Sequence, residues 1–408
     1  MNTEQLRADT PAVAQLIHFN NAGAALMPTP VIEAVTRHIQ LEASLGGYEA
    51  AGRQAAEVEQ VYGSIGRLLN AAPDEIAVIE NATRAWDMAF YSLPLQPGDV
   101  LLTSATEYAG NYIPYLQLKQ QRGIEIRIIA NDEHGRVSLS ALQQMLEDDR
   151  VALISLPVIA TNGGPVQPIE QIGALARAAG VLYLLDACQG VGQIPLDVQK
   201  IGCHMLTATS RKYLRGPRGM GFLYIEKALC QNLEPVFLDL HAASLQSADS
   251  YTVRADARRF ENWECNVAAK LGLGAAVEYA LAQGIEPMWR RIQQLADYLR
   301  QYLGQIPGFT LQDPSVNRSG IVTFSHRHHS AAQVQQWLAG QDKRINVSTS
   351  TFRSTLLDMQ HRDLLEVSRA SLHAYNTEAE IDTMIAALRA LPRLLNGRPI
   401  GACIAQAL

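Results

Sequence analysis

From Ala72 to Glu226, short apolar runs alternate with stretches of helical length. The runs are Ile76–Glu80, Val100–Thr103, Ile124–Ile129, Ala152–Leu156, Val181–Leu185, Met205–Ala208 and Gly221–Ile225. They are rich in Val, Ile and Leu with little polar alternation, as expected of strands buried on both faces. Amphipathic segments such as Ile169–Ala179 lie between them, and Pro94-Leu-Gln-Pro-Gly98 and Gly123 punctuate the series. Such alternation predicts βαβ units and a mainly parallel, seven-stranded sheet with helices on both faces. Ligands of such sheets gather beyond the carboxyl ends of the strands.

The pattern changes after Asn266. Two helical segments, Ala268–Gln283 and Met288–Leu303, precede a strand at Gly320–Ser325. Ser330-Ala-Ala-Gln333 reads as a capping box that opens another helix, and Leu365–Leu372 and Thr377–Leu391 follow. The chain therefore divides into a large α/β domain (18–270), a smaller α+β C-terminal domain (271–395) and a tail (396–408). Residues 1–30 are expected to pack with the small domain.

Composition narrows the class. The 408 residues carry a formal charge of −6 and no run of five basic residues, which argues against nucleic acid or an anionic membrane as partner. The first fifteen residues are polar and of mixed charge, unlike a secretory signal. The longest apolar stretches are about ten residues, half of what a membrane span needs. The five cysteines are scattered without a C-x-x-C pair, as in a cytoplasmic protein with reduced thiols. His326-Arg-His-His329 has no acidic or cysteine partner nearby in sequence and reads as a surface turn, so no metal site is expected.

The candidate chemistry begins at Thr207-Ala-Thr-Ser-Arg-Lys-Tyr-Leu-Arg-Gly-Pro-Arg-Gly219, between two predicted strands. Arg211, Arg215 and Arg218 surround Lys212, and neighbouring positive charge lowers an amine's pKa and favours its use as a nucleophile. Alone, the stretch also reads as a solvated basic loop. Asp186 closes an apolar strand in Leu184-Leu-Asp-Ala-Cys-Gln189, where it could serve a cationic ring nitrogen or simply cap a helix. Asn81-Ala-Thr83 opens a helix after another strand, suited to a phosphate or to plain capping. Tyr108, in Glu107-Tyr-Ala-Gly-Asn111, could stack on a ring or pack in the core. Together these residues offer what pyridoxal 5′-phosphate (PLP) requires of a protein: an amine, a carboxylate, phosphate donors and a flat cover.

In these motifs the chain resembles fold-type I PLP-dependent enzymes of the aminotransferase class V group. The branch it resembles includes cysteine desulfurases, selenocysteine lyases, C–S lyases and isopenicillin N epimerase-like enzymes. The resemblance runs from about His18 to Leu391. It implies Lys212 as the Schiff-base lysine and Asp186 as partner of the pyridine nitrogen. It places Gln189 near the phenolic oxygen, Tyr108 over the ring, and Ala82, Thr83, Thr209 and Arg211 at the phosphate. Arg369, in Ser368-Arg-Ala-Ser-Leu-His-Ala-Tyr-Asn376, matches the arginine that clamps the substrate carboxylate, a task suited to a bidentate fork. Asn21 falls in a segment lining the substrate pocket, and either Thr161 or Asn162 is expected to face the ligand. A homodimer is implied, with the neighbourhood of Trp263 at its interface.

Two departures guide the expected reaction. The stretch Asn346-Val-Ser-Thr-Ser-Thr-Phe-Arg-Ser-Thr355 contains no cysteine where related desulfurases form a persulfide, and Phe352 and Arg353 suggest different substrate contacts. Arg259-Phe-Glu-Asn-Trp-Glu264 replaces a small Gly-Thr-Pro turn. On these grounds the expected function is β-elimination from a cysteine-derived amino acid by a C–S lyase, with Lys212 as the base at Cα. The alternatives are an epimerase, an aminotransferase or a decarboxylating deaminase acting on a larger amino acid. A persulfide-forming desulfurase is judged unlikely. A regulatory role is disfavoured because the residues before His18 are too few for a DNA-binding domain.

Overall fold

The computed structural model describes residues 1–313 and 318–392; the tail expected at 396–408 lies outside them. Strand β1 is Ile17–His18. The central sheet then takes β2 (Ile76–Ile79), β3 (Val100–Ser104), β4 (Glu125–Ile129), β5 (Val151–Pro157), β6 (Leu182–Asp186), β7 (Met205–Thr209) and β8 (Gly221–Ile225). Their order is β2-β8-β7-β6-β5-β3-β4. The β7-β6-β5-β3-β4 pairs are parallel, and β8 runs antiparallel to both neighbours. The sheet is thus seven-stranded and mainly parallel, as the apolar runs predict.

Successive residues of these strands feed two cores. Ile76, Val78, Val100, Leu102, Tyr183 and Leu185 join the cluster on one face. Ala77, Ile79, Leu101 and Leu184 join Trp86, Phe90 and Tyr115 on the other. This division by parity is the pleat of a strand, and it explains why the runs lack polar alternation. The exception is β4, an edge strand whose residues are mostly half-exposed, since one side of it has no partner strand.

The long helix Val267–Gln283 packs against the helices Thr29–Leu45 and Ala55–Leu69. Beyond it, Phe309–Leu311, Ile321–His326, Glu366–Ser371 and Ser348–Thr351 form, in that order, a four-stranded antiparallel sheet. The capping box at Ser330 is present: its hydroxyl accepts from the Gln333 N–H while the Gln333 side chain accepts from the Ser330 N–H. Near the N-terminus, β1 pairs in parallel with Ile345–Asn346, and Ile17 and Phe19 are buried with Leu299, Phe324 and Ile381. A hairpin, Ala243–Ser247 with Ser250–Val253, is mostly exposed. Its polar sequence gives no apolar period by which it could be foreseen. No helix among the described residues is long and apolar enough to cross a membrane.

Phe19 is fully buried where the N-terminal segment meets the C-terminal elements. Phe19→Ala is expected to cost about 3–5 kcal/mol, read as a lowered urea midpoint.

Candidate active site

The carboxyl ends of β2, β3, β5, β6 and β7 open onto one cavity of ≈ 170 Å³. Ala82, Thr83, Tyr108, Asp186, Gln189, Thr209, Arg211 and Lys212 all line it, together with Thr161. Residues spread over 130 positions of sequence meet here because each follows a strand of one parallel sheet.

Lys212 sits in the turn after β7. Its carbonyl accepts from the Arg215 N–H at 2.9 Å, and the Gly216 N–H returns to the Ser210 carbonyl at 2.8 Å. Arg215 adopts a left-handed φ of 63°, which folds the turn back beneath the lysine. The N-terminal segment closes one wall: the Ala25 N–H donates to the Arg211 carbonyl at 2.8 Å, and the Arg211 guanidinium donates to the Gly23 carbonyl. Burial pulls the Lys212 amine below its ordinary value. Cys188 and Asp186 oppose this, while the Arg211 and Arg369 charges add to it. An amine so placed more readily presents the neutral form a nucleophile needs.

Asp186 ends β6, and only 8% of its surface is exposed. One carboxylate oxygen accepts from the Cys188 N–H at 2.9 Å and the other from the Asn111 amide at 2.9 Å. At another side of the cavity, Asn81 caps the helix Ala82–Tyr91 by accepting from the Arg84 N–H at 2.9 Å. This leaves Ala82 and Thr83 in the first turn, where the helix favours an anion. Gly221 permits the close approach of β8 here, since a Cβ would stand 2.7 Å from the Ala82 nitrogen.

Arg369 lies on the strand Glu366–Ser371 and donates to the Thr161 hydroxyl at 2.8 Å and its carbonyl at 3.2 Å. Thr161 also receives the Gln189 amide at 3.1 Å. The Arg369 Nε and the Gln189 Oε1 are both buried without a protein partner. Unpaired buried polar atoms are costly, and a bound anionic ligand would satisfy the arginine.

Some expected residues stay outside. Asn21 is fully buried and ties the N-terminal segment to the Ser371 and His18 carbonyls, at 2.7 and 3.3 Å. Asn162 donates to the Thr355 hydroxyl at 3.0 Å. Neither lines the cavity, so of the pair at 161–162 it is Thr161 that faces it. Phe352 is buried against Met359 and Val367, and the exposed Arg353 lies over its ring; neither lines the cavity. Both belong to a short turn whose apolar member serves local packing. Tyr108 is 46% exposed at the mouth, over Gly110, where a Cβ would stand 2.6 Å from the tyrosine ring.

Asn81, read from the sequence as a helix cap or phosphate turn, also lines the cavity, as do Thr106, Asn111, Pro157, Ile159 and Cys188, which the sequence does not single out. Cys188 follows the end of β6, a strand-end position that signals a ligand edge, whereas Asn111 lies in the first turn of the helix Ala109–Arg122 and carries no such signal.

The family description Aminotransferase class-V matches residues 17–384. The chain belongs to that family. It is 30% identical to a cysteine desulfurase of Pectobacterium atrosepticum, over 96% of this chain and 98% of the relative. It is 28% identical to a probable cysteine desulfurase of Methanothermobacter thermautotrophicus, over 94% and 96%. The apo structure of a cysteine desulfurase from Thermococcus onnurineus superposes with a TM-score of 0.87 at 23% identity, covering 95% of this chain and 97% of that one. This family member is a PLP-dependent enzyme of fold type I, and the cavity carries the groups such a cofactor needs: an amine, a buried carboxylate and a helix N-terminus.

These relatives correct the reaction expected from the sequence. That reading put a C–S lyase first and set a persulfide-forming desulfurase aside for want of a cysteine in 346–355, whereas the whole-chain relatives are cysteine desulfurases. A loop nucleophile determines where sulfur goes, while the chemistry at Cα depends on the cavity.

Lys212→Ala is expected to remove the long-wavelength absorbance of the bound cofactor from purified enzyme, measured against the parent chain at equal concentration. A persistent band would place the attachment elsewhere.

Proposed function

We propose that this enzyme takes sulfur from L-cysteine and passes it to a thiol, leaving alanine. The observation that carries this reading is Arg369, which is not among the lining residues but donates to Thr161 in the wall of the cavity that contains Lys212 and Asp186. A guanidinium beside that wall suits an amino acid's carboxylate, and the likeness to cysteine desulfurases supplies the side chain.

PLP, when bound, supplies an electron sink for the bonds at Cα. Lys212 would be its attachment point, and its amine would serve as the base that holds the Cα proton. Asp186, fixed by Asn111 and the Cys188 N–H, would keep the ring nitrogen protonated. Ala82, Thr83, Thr209 and Arg211 would hold the phosphate, with Gln189 beside the ring. Arg369 orients the substrate and limits its rotation. In the net reaction the Cβ–S bond breaks, its electron pair stays on carbon and takes a proton, and the acceptor thiol becomes a persulfide. With no cysteine in 346–355, the acceptor is a thiol from outside that stretch.

Two tests follow from this reading. Holoenzyme given L-cysteine and a dithiol is expected to release alanine and sulfide in equal amounts; pyruvate and ammonia in place of alanine would reject sulfur transfer. We also propose a cytoplasmic homodimer. Among the described residues four cysteines are free, and the large apolar side chains Ile113, Phe237, Leu240, Tyr251 and Trp263 are more than half exposed, which suits a covered surface. Light scattering is expected to give twice the 44.7 kDa chain mass, and Trp263→Glu to shift it toward the monomer.

A further inference from the structure

A second carboxylate lies behind Asp186. Glu107 follows β3, is 3% exposed, and does not line the cavity. One of its oxygens accepts from the Tyr108 N–H and the Asn111 amide, both at 2.9 Å. The other accepts from the Thr103 hydroxyl at 3.1 Å and the Tyr115 hydroxyl at 3.0 Å. A site built from four donors suits a carboxylate and not an amide, whose NH₂ would face donors. The Asn111 amide nitrogen is shared: it also donates to the Asp186 carboxylate at 2.9 Å. Asn111 thus bridges two buried acids.

We propose that Glu107 is a positioning residue that fixes Asp186 through Asn111 and adds its negative charge to the field at the cofactor's ring nitrogen. This rests on the reading of Asp186 as the partner of that nitrogen.

The surroundings make the charge adjustable. Burial and the neighbouring Asp186 push the Glu107 carboxyl up to about 7, against the pull of its donors. The groups facing the pair are Tyr115 on the helix Ala109–Arg122, Thr103 on β3 and Ser155 on β5. Beyond Asp186 lie Cys188, Arg211 and Lys212. A protonated ring nitrogen beside Asp186 offsets the repulsion between the carboxylates and so favours ionised Glu107. By linkage, ionised Glu107 favours the protonated ring to the same extent. A role confined to packing carries no such coupling.

The test uses holoenzymes loaded with ¹⁵N-labelled PLP, following the ring-nitrogen shift and cofactor retention on dialysis from about pH 6 to about pH 9, with the thermal midpoint recorded alongside. For Glu107→Gln, the protonated fraction of the ring is expected to fall at about pH 8, and the PLP dissociation constant to rise about tenfold there. Toward the acid end of the range, as Glu107 of the parent takes up its proton, the two should draw together. Glu107→Asp, which keeps the charge, should hold both readouts near the parent's, and Glu107→Ala, which removes charge and contacts together, decides the matter should Glu107→Gln not fold. A lowered thermal midpoint with the parent's nitrogen shift and parent-like pH dependence of retention would overturn the proposal. Asp186→Asn separates the premises. If it alone disturbs the ring nitrogen, the role of Asp186 stands and that of Glu107 falls; if it leaves the nitrogen unchanged, the reading of Asp186 falls with it.

Discussion

A carboxylate held out of water at the end of a parallel strand is costly unless donors surround it, and much of this site is arranged around that cost at Asp186. The β6 strand carries it to the ligand edge, the Cys188 N–H and the Asn111 amide satisfy it, and the remaining acceptor capacity is left for the cavity. Lys212 comes from the next strand over, since β7 pairs directly with β6. The strand order therefore sets an acid and an amine side by side without either making an ion pair within hydrogen-bond reach of the other. Both stay available to a third group.

The same edge draws in parts of the molecule distant in sequence. The N-terminal segment is bonded to the lysine turn through Gly23 and Ala25, and to Gln189 through the Ala22 carbonyl. That segment also pairs with Ile345–Asn346 and reaches Ser371, two residues beyond Arg369. Lys212 and Arg369, the groups proposed to meet the two ends of an amino acid substrate, thus share a mechanical frame. Arg215 reinforces it, with its guanidinium on the Tyr375 ring and its Nε donating to the Leu26 carbonyl.

Much of this was legible in the sequence because burial on both faces of a parallel sheet writes itself as apolar runs, and because strand-end positions attract ligands. Lys212, Asp186, Thr83 and Arg211 reach the cavity for that reason. What was not legible depends on side-chain direction. Asn21 and Asn162 stand in the right loops but turn into the protein, toward Ser371 and Thr355, and no period in the sequence reports that choice. Phe352 likewise reads as a pocket residue until its contacts with Met359 and Val367 are seen. Asn111 is the converse: a polar residue on the first turn of a helix, unremarkable in sequence, becomes the link between two buried acids because the helix after β3 leans over the end of β6.

The stretch 346–355 separates two questions that a single motif had merged. Its residues Ser348–Thr351 form an edge strand antiparallel to Glu366–Ser371, with Ser348 opposite Arg369, so its backbone is committed to supporting the carboxylate clamp. Placing a cysteine there would determine where sulfur is received. The hydrogen bonds that hold the Arg369 and Asp186 side chains come from Thr161, Asn111 and Cys188 and not from this stretch. Chemistry at Cα and delivery of the product are therefore carried by different elements of this fold. A chain can keep the first while changing the second, and the identity of the acceptor must be sought at the mouth of the cavity, where Tyr108 is half-exposed and a mobile thiol could enter.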